Sequence, residues 1–108
     1  MKAPTTNKCE HKPCEGFDLP LQGLRVIDLL DGCAEMCGRV LADLGADVVL
    51  VEPPEGLASR QQQAVFENES LHFYSHQANK RSVVLALDTE SGRESFLKLL
   101  ASAAIVID

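Results

Sequence analysis

The 108-residue sequence has no apolar run approaching the roughly 20 residues that a bilayer-spanning helix needs, which excludes a membrane-spanning helix. A secretory signal is not expected either, because the positively charged residues 1–8 are followed by no hydrophobic stretch. The expected location is cytoplasmic, with no membrane partner. Positive charge is scarce: Lys and Arg total 10 against 16 Asp and Glu, a formal net charge of −6. Broad binding of nucleic acid, which needs a basic surface to displace counterions from phosphates, is not expected. A small anionic ligand would depend on local donors rather than on the overall field. What is present, 45% hydrophobic and 24% charged residues, suits one globular domain that buries a core without disulfide or metal staples.

Residues 1–18 are polar, hold Pro4 and Pro13 and show no periodicity, so they read as a flexible leader before a domain over 19–108. Cys9, His11 and Cys14 are chemically competent zinc donors, but their spacing matches no strong zinc pattern and no metal is expected. Beyond the leader, hydrophobic periods alternate. Residues 23–30 read as a strand rich in branched aliphatics, closed by an Asp31-Gly32 turn. Cys33, Met36, Cys37, Val40, Leu41 and Leu44 then follow helical spacing, which predicts a helix with these six facing the core. Glu35, Arg39 and Asp43 fall on its solvent face, and Gly45 terminates it.

Residues 47–52 form a near-continuous apolar run, as in a parallel strand covered on both faces, and Pro53-Pro54 stop it. A long loop is predicted over 55–69, a short helix over 70–76 and a third buried strand over 82–87. Asp88 or Thr89 can cap the next helix, whose apolar stripe is Phe96, Leu97 and Leu100 with Leu99 beside it. A fourth strand begins at 104–108. The alternation predicts an α/β, Rossmann-like, doubly wound and mostly parallel sheet of about four strands with flanking helices. Ligands of such sheets lie beyond the carboxyl ends of the strands, here 30–34, 52–56 and 87–89.

Glu52 ends the second strand where a dinucleotide fold places its ribose-binding acid; otherwise it is a strand-end carboxylate in water. The first turn, residues 31–38, lacks GxGxxG, which disfavours an NAD-binding domain. Cys33 and Cys37, one helical turn apart, read as small core hydrophobes, with Cys33 nearer the helix N-terminus that lowers thiol pKa. His72 and His76 are also one turn apart; no carboxylate or cysteine partner is identifiable in the sequence, so they read as a surface or half-buried pair. Asn79-Lys80-Arg81-Ser82 is the densest basic cluster of the ordered part, with Lys80 a candidate anion contact.

Three segments, residues 21–29, 40–54 and 79–87, together resemble the N-terminal part of the class III coenzyme A transferases, the CaiB/BaiF family. The likeness is carried by Leu41-Ala42-Asp43-Leu44-Gly45-Ala46-Asp47-Val48, by Val51-Glu52-Pro53-Pro54 and by Asn79-Lys80-Arg81-Ser82. It implies an enzyme transferring CoA between carboxylic acids through an aspartyl intermediate, or a related acyl-CoA racemase. Its substrates would be an acyl-CoA and a carboxylic acid, with coenzyme A as acyl carrier and no metal. By position, Cys33 and Ala34 match residues that contact CoA after the first strand, and Leu85, Ala86, Leu87 and Asp88 match the segment lining the adenine pocket. Pro53 stands where some members have a nucleotide-contacting arginine. The first helix opens with Ala34-Glu35-Met36 where the family usually has Ala-Gly-Pro, one residue longer. The family's catalytic aspartate lies well beyond Asp108, so no catalytic residue is expected here, Asp28 and Asp31 included. The chain reads as a truncated N-terminal portion, inactive alone, of a protein that is an interlocked homodimer when intact. The alternative reading is a noncatalytic protein-association domain that kept the sheet.

Overall fold

The computed structural model describes residues 18–108. The expected leader, Asp18 apart, and its Cys9, His11 and Cys14 lie outside the described residues. Four parallel strands form one sheet: β1 (Arg25–Asp28), β2 (Asp47–Glu52), β5 (Arg81–Val84) and β6 (Ile105–Ile107), in the order β5-β2-β1-β6. The connections carry α1 (Met36–Asp43), α2 (Leu71–Gln77) and α3 (Glu90–Leu100). The predicted loop at 55–69 is instead a 3-10 turn, Ala58–Gln61, followed by a small antiparallel ribbon, β3 (Val65–Phe66) and β4 (Glu69–Ser70).

The central strands β1 and β2 are apolar and buried, and their alternating side chains feed two layers. Val26 and Val48 pack with Ala42 and Ala46 under α1, and Leu50 packs with Leu57 and Phe73 of α2 on the same face. Ile27, Val49 and Val51 point the other way, to Phe96, Leu99 and Leu100 of α3. The α/β, doubly wound expectation holds, with strand order reversing on either side of β1.

Three elements sit differently from the hydrophobic pattern. Helix α1 turns Gly38 and Ala42 to the sheet, while Met36, Val40 and Leu44 are exposed and so are Cys33 and Cys37, which were expected in the core. The cause is close approach: a Cβ on Gly38 would lie 2.1 Å from Asp28 Oδ2 and 2.9 Å from Lys80 Nζ, so only small residues fit this face. Glu35, expected in solvent, is 2% exposed. Strand β5 is a sheet edge paired only to β2, and its residues are mostly exposed rather than buried. In α3, Phe96 and Leu100 face the core as expected, but Leu99 joins them in place of Leu97, which is 64% exposed.

Candidate functional site

At the carboxyl end of the sheet, Pro53-Pro54 end β2 because neither ring nitrogen can donate to a ladder. The chain then bends through Gly56, at φ 82°, into the 3-10 turn. Asp31 fixes that turn, its carboxylate accepting from Ala58 N at 2.8 Å and Ser59 N at 3.2 Å. After β5, Leu85 N donates to Glu52 O at 2.9 Å, and the chain then turns so that Thr89 caps α3, its Oγ1 accepting from Gly92 N at 3.1 Å. Between these segments opens a cleft of about 680 Å³. Leu29, Val51, Leu57 and Leu85 give it an apolar floor, Pro53 and Pro54 form one wall, and residues 86–89 the other. Its ionisable groups are all carboxylates, from Glu55, Asp88 and Asp108. Such a lining accepts hydrogen bonds and favours an apolar, donor-bearing group over an anion.

The opposite face of the same strand ends holds two ion pairs. Glu52, 2% exposed, receives Arg60 through Nε and Nη2, both at 2.6 Å, and Ser82 Oγ at 2.5 Å. The Arg60 hydrogen bonds outweigh burial and hold the Glu52 carboxyl below its ordinary value, while Glu52 in turn raises Arg60. The Arg60 guanidinium also lies 3.8 Å from the centroid of the Phe73 ring. Glu52 is therefore a structural clamp between β2, β5 and the 3-10 turn, not a strand-end acid in water. Lys80 has a side chain 1% exposed; its Nζ donates to Asp28 Oδ2 at 2.7 Å, to Glu35 O at 2.9 Å and to Gln77.

The rest of the basic cluster is likewise turned to acids: Asn79 Nδ2 donates to Asp43 at 2.6 Å and Arg81 pairs with Asp47 at 2.5 Å. A second arginine, Arg25, reaches Asp47 at 2.8 Å. Burial opposes ionisation of Asp47, but the two arginines prevail and lower its pKa.

Glu35 joins a further group that the sequence did not disclose. Its Oε1 accepts from Gly32 N at 3.0 Å and its Oε2 lies 3.0 Å from His72 Nε2. Burial alone would raise its pKa, yet these hydrogen bonds lower it. The His72 and His76 rings stack with centroids 3.9 Å apart and planes at 17°. The signal missing from the sequence is the distance: Glu35 and His72 are 37 residues apart and meet only because α1 packs on α2.

Comparison with known proteins decides the family. The model of CoA-transferase family III matches residues 21–108. The chain belongs to CoA-transferase family III. A probable CoA-transferase from Mycobacterium tuberculosis is 49% identical over 87 residues, covering 77% of this chain and 11% of that protein. A probable fatty acyl-CoA transferase of the same organism is 37% identical over 93 residues, covering 82% of this chain and 24% of its own length. The crystal structure of a CaiB/BaiF family protein from Brucella suis superposes with a TM-score of 0.76 at 36% identity, covering 83% of this chain and 25% of that one. The chain thus spans between about a tenth and a quarter of the length of these relatives.

Within this CoA-transferase family III chain, Pro53, Leu85, Ala86, Leu87 and Asp88 are brought together in the one cleft. Cys33 and Ala34 do not line it; they are exposed on the turn after β1, where Gly32 (φ 76°) and Ala34 (φ 59°) both lie in the left-handed region. Lys80 is separated from the cleft by the sheet, since its partner Asp28 points to the α1 face and Leu29 to the α3 face.

Proposed function

We propose that residues 19–108 form the coenzyme A-holding unit of an acyl-CoA transferase, with Pro53, Leu85, Ala86, Leu87 and Asp88 receiving the adenosine end of CoA. The observation that carries this reading is the cleft at the carboxyl ends of β1, β2, β5 and β6, where doubly wound sheets bind ligands. Its apolar floor suits a purine face, and its carboxylates accept from an exocyclic amine or ribose hydroxyls. The same carboxylates repel phosphates, so the pyrophosphate leaves the cleft toward solvent. Cys33 and Ala34, at the same end of the sheet, offer a second contact to the extended CoA arm. Lys80 contributes by holding the sheet to α1 and α2 rather than by touching the ligand.

On this reading the intact protein transfers CoA between an acyl-CoA and a carboxylic acid through an aspartyl intermediate. On the same reading none of these 108 residues is that aspartate, and assay of the chain alone is expected to give no turnover. Among the described residues no helix is long and apolar enough to cross a membrane. The intact protein is a homodimer, supported by exposed apolar side chains such as Met36, Val40 and Phe66, and sedimentation at micromolar concentration checks it.

Ala86→Trp fills the cleft without touching the ion pairs. Calorimetric titration with CoA should show at least a tenfold loss of affinity, equivalent to about 1.4 kcal/mol. Unchanged affinity in this variant contradicts the assignment.

A further inference from the structure

We propose that Glu35, His72 and His76 form a binding site for a borderline divalent cation of the zinc class, tying α2 to the turn before α1. One potential ligand atom from each residue falls within a sphere of mutual distances no longer than 4.8 Å. Imidazole nitrogen and carboxylate oxygen are the donors such ions take in three-ligand sites that keep one position for water. Bond lengths near 2.0–2.1 Å in a tetrahedral site put neighbouring donors about 3.3 Å apart. The Glu35 Oε2 to His72 Nε2 separation of 3.0 Å is close to that, and the His76 ring is stacked on the His72 ring.

In two of the three residues, Glu35 and His76, the non-ligating atom is already engaged, which orients them as a prepared site would. His76 Nδ1 lies 2.9 Å from the His72 carbonyl oxygen, an acceptor only, and 2.9 Å from Ser75 Oγ, whose own proton goes to that same carbonyl; Nδ1 therefore carries the proton and the Nε2 lone pair is open. Glu35 Oε1 is held by Gly32 N–H at 3.0 Å, which leaves Oε2 to bind. Glu35 is buried and both histidines are half-buried, so the carboxylate is screened while solvent reaches the imidazole edge. When the cation binds, the hydrogen bond between His72 Nε2 and Glu35 opens, the Nε2 proton passes to solvent, and both atoms turn their lone pairs to the ion. None of the three lines the cleft, so the site is a staple and does not rest on the CoA reading.

The test is titration of the full chain with cobalt(II), read by visible absorption, in a background of Cys9→Ser, His11→Ala, Cys14→Ser, Cys33→Ser and Cys37→Ser. One equivalent should bind, with the visible ligand-field bands of a low-coordinate cobalt site. His76→Ala should weaken binding at least tenfold, with the fold checked by circular dichroism. Titration of the unsubstituted chain with zinc(II), followed by the imidazole nitrogen resonances, keeps the idea falsifiable should His76→Ala unfold. Coupled shifts at His72 and His76 are expected. Shifts confined to His11, no shift at all, or unchanged cobalt affinity in folded His76→Ala each overturn the proposal.

Discussion

Lys80 shows how much of this chain's charge is spent inside it. Its ammonium lies between Asp28, Gln77 and the Glu35 carbonyl, and the pair is almost wholly buried. Removing one member of a buried pair leaves the other uncompensated, so Lys80→Met should lower stability by about 3–5 kcal/mol. The double variant Asp28→Asn, Lys80→Met should lose less than Lys80→Met alone, because no buried charge remains; denaturant unfolding measures both. Glu52 gives a pH signature. Its carboxyl is lowered in the fold chiefly by Arg60, so its stabilisation is present above the ordinary value of 4.5 and is lost as pH falls through the folded value. Glu52→Gln should therefore cost about 2 kcal/mol at neutral pH, and its deficit should shrink steadily below pH 4.5. A deficit independent of pH contradicts the charge argument.

At the level of elements, α1 carries the lesson about legibility. Strands β1 and β2 and the helix order are readable because long apolar runs act locally, and the cap of α3 narrows to Asp88 or Thr89, of which Thr89 takes it. The inward face of α1 was not, because a helix pressed against a buried ion pair selects small residues, and hydrophobic periodicity then tracks the outward face instead. The exposure of β5 is hidden in the sequence for a related reason: an apolar run does not reveal that its strand has one neighbour. Gly38→Ala discriminates between these views of α1. Helix propensity alone favours alanine by about 1 kcal/mol. The clash with Asp28 and Lys80 acts against it, and we expect net destabilisation of about 2 kcal/mol in thermal unfolding. A stabilised variant means that α1 stands off the sheet.

For the whole molecule, the sheet divides labour. One face at its carboxyl end is locked by Asp28–Lys80 and Glu52–Arg60, and the other opens as the cleft. The family motif drew attention to both sides together, since Lys80 and Leu85 to Asp88 are near in sequence; only the alternation of strand residues separates them. Pro53 and Leu85 to Asp88 could be placed from the motif alone, whereas the Glu35–His72 contact depends on helix packing across 37 residues. The most direct test of the central claim is a nitrogen–proton correlation spectrum of the chain titrated with CoA. The account predicts progressive shifts concentrated at residues 55–57, 85–89 and 108, with smaller ones at Cys33 and Ala34 and the amides of Lys80 and Asp28 little moved. Shifts centred on Lys80 and α2, or a spectrum unchanged by saturating CoA, would contradict it.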